Sequence, residues 1–175
     1  MESRYSKKIT LLYVEDEQSI LDELIPILER YVDSVYSAKN GEEALRIYHK
    51  IGPDIILTDL EMPIMNGLEF IKKIREVDTK VPVLINTAFN ENRFLQDAIF
   101  LNVRHYLLKP INIKHLKEIL SHIKDELYRD RELIAYRTSL EVQVNKAINE
   151  SKHKSQLLAQ QNKSAEIGTM MCVVA

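Results

Sequence analysis

The chain has 175 residues, 45% hydrophobic and 29% charged, with a formal charge of −2, which suits an ordinary soluble domain plus an extension and gives no whole-molecule pull toward nucleic acid or an anionic membrane. No run approaches the roughly 20 apolar residues that a membrane helix needs. A single cysteine, Cys172, excludes an internal disulfide and a cysteine-based zinc cage, and MESRYSKKIT lacks the apolar stretch of a signal peptide, so the expected location is the cytoplasm.

In chain order, Thr10–Val14 reads as a strand. Gln18–Tyr31 reads as a helix with Ile20, Leu21, Leu24, Ile25 and Leu28 on one stripe, and Pro26 inside it predicts a kink or a lost backbone bond. A short strand near Ser34–Ser37 precedes a helix over Gly41–Ile51, with Ala44, Leu45, Ile47 and Tyr48 at helical spacing. Asp54–Thr58 is a continuous apolar strand. Gly67–Val77 is helical, with Leu68, Phe70, Ile71 and Ile74 inward. Val81–Ile85 is a strand, Glu91–Leu101 a helix, and Arg104–Leu108 a fifth strand. This alternation predicts an α/β fold, a doubly wound, five-stranded parallel sheet covered by helices on both faces. Strand order is not fixed by the pattern.

All five prolines lie at or before Pro110, and no glycine occurs between Ile111 and Ile167. From the N-cap candidate Asn112 onward the chain is unpunctuated. Leu116, Leu120, Ile123 and Leu127 recur in steps of four and three, followed by Leu133, Leu140, Val144, Ala147, Leu158 and Ala165. This heptad-like seam predicts one helix of about 50 residues, or two in tandem, roughly 75 Å long. Its apolar stripe predicts pairing with a second copy. The expected division is a domain over residues 1–125 and a helical, coiled-coil extension over 126–175.

Chemistry concentrates at the ends of the predicted strands. Glu15 and Asp16 follow the first, Asp59 the third, Thr87 the fourth and Lys109 the fifth. In a parallel sheet these ends share one edge, where ligands bind. Three carboxylates, a hydroxyl and an ammonium would then form a site for a hard cation and a phosphoryl group. Mg²⁺ prefers oxygen ligands, and Asp16 and Asp59 are the best direct ones, with Glu15 direct or through water. Lys109 or a cation is needed to offset the carboxylates. Asp59 is a candidate nucleophile toward phosphorus, and Thr87 a hydrogen-bond donor to a phosphoryl oxygen.

The segments TLLYVEDE, DIILTDLEMPIMNGLEF, VPVLINTAF and HYLLKP together resemble the receiver domain of two-component response regulators, over about Ile9–Tyr128. The resemblance implies a flavodoxin-like strand order with the second strand at an edge. It implies Asp59 as phosphoacceptor and Glu15 and Asp16 as the acidic metal pocket, with Glu61 offering a backbone carbonyl to Mg²⁺. Thr87 and Lys109 would contact the phosphoryl group, and Tyr106 would be the aromatic switch. Two places depart from the common pattern: Arg104-His105 before the aromatic, and the polar Asn86 before Thr87. Neither departure is expected to touch the core chemistry. Glu61 and Phe89 occupy positions that tune phosphoryl lifetime in the family.

The terminal LLAQQNKSAEIGTMMCVVA resembles the start of the dimerisation helix of a sensor histidine kinase, which implies the front end of a larger kinase. No DNA-reading module follows the domain, so no nucleic-acid partner is expected. His122 and His153 read as solvated helical residues. The leading expectation is a phosphorelay module rather than an enzyme. A partner histidine kinase or phosphotransfer protein would phosphorylate it on Asp59 with Mg²⁺, and it would signal through a homodimerising helix. The alternatives are a Mg²⁺-dependent phosphatase with an Asp nucleophile, which would place a second Asp where Glu61 stands, and a passive coiled-coil adaptor.

Overall fold

A computed structural model describes residues 8–88 and 100–172, with side chains through residue 162. Five strands alternate with helices: β1 (Thr10–Val14), α1 (Gln18–Leu28), β2 (Ser34–Ala38), α2 (Gly41–Ile51), β3 (Ile55–Asp59), α3 (Gly67–Val77), β4 (Val83–Thr87), β5 (His105–Leu108) and α4 (Ile113–Cys172). All ladders are parallel, in the order β2-β1-β3-β4-β5. This is the doubly wound, flavodoxin-like arrangement, with the second strand at an edge.

Strand alternation sorts the core onto two faces. Leu12, Val14, Ile56, Val83 and Ile85 pack with Phe70, Ile71 and Ile74 of α3 and Ala44 and Tyr48 of α2. Leu11, Tyr13, Ile55, Leu57, Leu84 and Leu107 pack with Leu21, Leu24 and Leu28 of α1 and Leu116, Ile119, Leu120 and Ile123 of α4. The central strands β3 and β4 are buried at every position, as expected for strands covered on both faces.

Local chemistry sets the helix starts. Asn66 Oδ1 accepts from the Glu69 amide at 2.9 Å, and the Glu69 carboxylate accepts from the Asn66 amide at 3.3 Å, a reciprocal cap. Asn40 caps α2 through the Glu43 amide at 2.9 Å. Asn112 caps α4, its side chain accepting from the His115 amide at 3.1 Å.

Three elements differ from those expected by two residues or more. α1 ends at Leu28 rather than Tyr31: Tyr31 and Val32 both donate to the Leu28 carbonyl, a tight turn just past Pro26. β4 runs two residues later than its apolar run suggests, because Pro82 has no amide to donate and the ladder takes in the polar Asn86 and Thr87. α4 is a single 60-residue helix, longer than anticipated. The helix expected over Glu91–Leu101 falls almost entirely outside the described residues.

Two compact units meet between Leu127 and Tyr128. The first holds the sheet, its helices and the first turns of α4. The second is the remainder of α4, carrying i,i+4 ion pairs Arg137–Glu141 and Lys146–Glu150. Its Leu133, Leu140, Val144 and Leu158 are exposed. No helix among the described residues is long and apolar enough to cross a membrane.

Candidate functional site

The carboxyl edge of the sheet gathers the acids. Glu15 follows β1 directly, and its amide donates to the Ala38 carbonyl at 3.0 Å, fixing the chain as it leaves the strand. Val14 pairs with Thr58, so Glu15 and Asp59 come next on adjacent strands. The carboxylate oxygens of Glu15, Asp16 and Asp59 lie within 4.8 Å of one another. Glu15 is fully buried and Asp59 nearly so.

Lys109 enters from β5. Its amide donates to the Thr87 carbonyl at 2.9 Å, and the following Lys109–Pro110 peptide is cis. Its ammonium donates to Asp59 Oδ2 at 2.5 Å and lies 3.1 Å from Glu15 Oε2. The other Asp59 oxygen, Oδ1, accepts from the amides of Leu60 at 2.6 Å and Glu61 at 3.3 Å. The loop behind Asp59 is held by close backbone approach: a Cβ on Gly67 would sit 2.1 Å from the Asp59 carbonyl oxygen.

Burial and charge act together on these groups. Burial pushes the Glu15 carboxyl up and the nearby Asp59 charge adds to this, outweighing the lowering by Lys109. Burial opposes the Lys109 charge, but hydrogen bonds and attraction from Asp59 and Glu15 prevail, raising the ammonium above its ordinary range. Tyr13, completely buried under β1, donates its hydroxyl to Glu15 Oε2 at 3.3 Å, and burial raises that phenol strongly.

Among the described residues, three carboxylates therefore face one ammonium. A hard divalent cation fits this donor set, since its charge offsets what Lys109 leaves uncompensated and its preferred ligands are carboxylate oxygens. Glu15, Asp16 and Asp59 carry those oxygens. A carboxylate held by backbone amides on one oxygen and by a displaceable lysine on the other is poised to attack an electrophile such as phosphorus.

The other expected site residues stand close by. Thr87 ends β4 and is buried, its hydroxyl donating to the Ala88 carbonyl at 3.3 Å. Tyr106 pairs with Ile85 and packs against the α2–α3 side of the sheet, its hydroxyl buried without a hydrogen-bond partner among the described residues. Phe89 lies outside the described residues. Two further residues stand beside these groups: Tyr13, which sequence reasoning passed over, and Asn86, which it set aside as a departure from the family pattern. Tyr13 looks like an ordinary apolar strand position, and only the two-residue alternation of β1 would have put it beneath Glu15. Asn86 is the β4 register partner of Asp59 itself. The two-residue shift of β4 thus carries this departure into the sheet, beside Asp59 in register.

The family described as response regulator receiver domain matches residues 11–121. An uncharacterized transcriptional regulatory protein, YesN of Bacillus subtilis, is 38% identical over 122 residues, 65% of this chain and 33% of the relative. The sensory transduction protein LytT of Oceanobacillus iheyensis is 34% identical over 69% of this chain and 50% of that protein. The chain thus spans a third to a half of these curated relatives. The REC domain of AraT, a response regulator from Geobacillus stearothermophilus, superposes with a TM-score of 0.63 at 31% identity, covering 71% of this chain and 99% of that one. The family match ends at residue 121 and does not reach the rest of α4.

Proposed function

The chain belongs to the response regulator receiver family, and from that premise we propose that it accepts a phosphoryl group on Asp59 from a histidine kinase or phosphotransfer partner and signals through α4. The observation that carries this reading is the Lys109 ammonium bridging Asp59 and Glu15 at the carboxyl edge of the sheet. An Asp59 carboxylate oxygen attacks phosphorus, the phosphorus–nitrogen bond of the partner's phosphohistidine breaks, and the imidazole leaves with the bonding electrons. Lys109 moves from the carboxylate to a phosphoryl oxygen, which exchanges one charge-assisted hydrogen bond for another. Thr87 donates its hydroxyl to a second phosphoryl oxygen, and Tyr106, on the same face of the sheet as Thr87, follows that change. Glu15, Asp16 and Asp59, with the Glu61 carbonyl, would hold Mg²⁺. When bound, this ion neutralises charge on the phosphoryl oxygens.

The output is assigned to α4. The exposed Leu133, Leu140, Val144 and Leu158 support pairing with a second copy along the helix, the resemblance of the last residues to a kinase dimerisation helix agrees with it, and phosphorylation would act by shifting a pre-existing equilibrium.

Two measurements test this. Acetyl phosphate with Mg²⁺ is expected to label the wild type and leave Asp59→Asn unlabelled; label that survives in Asp59→Asn refutes the phosphoacceptor assignment. Sedimentation with and without beryllofluoride is expected to show a change in the dimer fraction, and an unchanged monomer under both conditions refutes the helical output.

A further inference from the structure

β4 lies between β3 and β5. Lys109 follows the end of β5, yet its ammonium reaches Asp59 at the end of β3. Adjacent strands are about 4.8 Å apart, so this side chain bridges about two strand spacings and passes over β4. The β4 residue in register with Asp59, and so on the same side of the sheet, is Asn86.

Asn86 is 1% exposed, and among the described residues neither its amide oxygen nor its amide nitrogen has a hydrogen-bond partner. It lines a cavity of about 550 Å³ together with Lys109 and Pro110. Burying an amide without a partner is costly. An aliphatic side chain would fill the same place without that cost. An ammonium has three donors, and the two contacts with Asp59 and Glu15 leave one over.

We propose that Asn86 is a positioning residue for Lys109. Its amide oxygen accepts from Lys109 Nζ when the ammonium leaves the Asp59 carboxylate for an incoming phosphoryl oxygen. The cavity gives the lysine room for this movement, and Asn86 keeps it over the reacting group rather than letting it swing into that space. The proposal rests on the phosphoacceptor reading of Asp59 and deepens it.

The test uses the full chain, radiolabelled acetyl phosphate and Mg²⁺, with labelling followed over hours. The chain has no tryptophan, so label is counted directly rather than followed by indole fluorescence. Four proteins form a cycle: wild type, Asn86→Leu, Lys109→Met and the double variant. Asn86→Leu is expected to label about tenfold more slowly, the size of one charge-assisted hydrogen bond, and to melt at or above the wild-type temperature. In the Lys109→Met background the same change is expected to make no further difference. Asn86→Thr, which keeps an acceptor oxygen, is expected to recover part of the rate.

Wild-type labelling by Asn86→Leu overturns the proposal, and so does an equal loss in both backgrounds, which would mark a packing effect. If the wild type itself fails to label on Asp59, the phosphoacceptor reading falls and the proposal with it. A labelled wild type beside an unaffected Asn86→Leu overturns the proposal alone.

Discussion

Lys109→Met removes the one ammonium that, among the described residues, faces the acid cluster, while keeping most of the side chain's volume. It leaves Glu15, fully buried, beside Asp59, with carboxylate oxygens within 4.8 Å. At an effective dielectric constant of about 20, two like charges at that distance repel by about 3.5 kcal/mol. Breaking a buried pair by deleting one partner costs about 3–5 kcal/mol, so the two routes agree on about 3 kcal/mol. Glu15 limits the penalty by taking up a proton, since its carboxyl is already raised by burial and by Asp59; the loss is therefore larger at alkaline than at mildly acidic pH. The assay is thermal unfolding with a chelator, then with Mg²⁺ added. Without the ion, the melting temperature is expected to fall by roughly 6–12 °C. Mg²⁺ is expected to restore more stability to the variant than to the wild type, because a cation bound only by the folded state stabilises it by mass action and no longer competes with Lys109. A variant that melts with the wild type in chelator at alkaline pH would show that the acids do not strain one another, and the electrostatic account of the site would fail.

Three further outcomes follow from particular contacts. Gly67→Ala would put a methyl group 2.1 Å from the Asp59 carbonyl oxygen and 3.0 Å from the Leu60 Cα; a loss of about 3 kcal/mol in urea unfolding is expected, with slower labelling of Asp59. Asp78 accepts from the Tyr48 hydroxyl at 2.8 Å and from the Lys80 and Val81 amides at 2.7 and 3.0 Å. Burial opposes its charge, but these bonds and Arg75 hold its carboxyl below the ordinary 3.8. Its contribution is therefore complete above that value and lost as the pH falls through the folded one; Asp78→Asn is expected to flatten the fall in melting temperature between about pH 5 and pH 3. Ile64, 76% exposed, holds φ at 71°, so Ile64→Asn is expected to raise stability by about 1 kcal/mol, with no packing to lose.

The acid cluster is legible in the sequence because each member follows an apolar run, and a parallel sheet brings such positions to one edge. Glu15, Asp16, Asp59 and Lys109 come together on that logic alone. What escapes it is polarity inside the sheet. The run VPVLI reads as a strand that stops at Ile85, yet Pro82 enters the sheet only through its carbonyl, which accepts from the Ile56 amide at 3.0 Å. The ladder therefore starts later and carries Asn86 into the row of the acids. Hydropathy treats an asparagine as the end of a strand, and it cannot see a register set by a proline. Tyr13 escapes for the opposite reason: its ring belongs to the core pattern, and only its hydroxyl belongs to the site. The end of α1 also escapes, because Tyr31 and Val32 continue the apolar spacing of the helix after its backbone has already turned.

The placement of the acids also explains how a small chemical event can reach a long helix. Glu15, Asp59 and Asn86 sit at the end of the same sheet face whose apolar rows hold Leu116, Ile119, Leu120 and Ile123 of α4. Lys109, which bridges the acids, is joined to the first residue of that helix by Pro110, Ile111 and Asn112 alone, and Asn112 is its cap. Lys124 Nζ donates to the Tyr31 carbonyl at 2.6 Å, and Arg104 pairs with Glu126 at 3.2 Å, so the first turns of α4 are tied to the turn after α1 and to the residue before β5. On the proposed reading, a lysine that changes partner at the site pulls on a short, capped connection whose far end is packed and bonded in place. Close-packed interiors respond to such a pull by switching between arrangements rather than by yielding gradually. Lengthening the connection by a two-glycine insertion after Ile111 is therefore expected to leave labelling of Asp59 intact while uncoupling it from helix pairing, read as label and sedimentation on the same sample; a dimer fraction that still follows beryllofluoride would place the coupling elsewhere on the sheet.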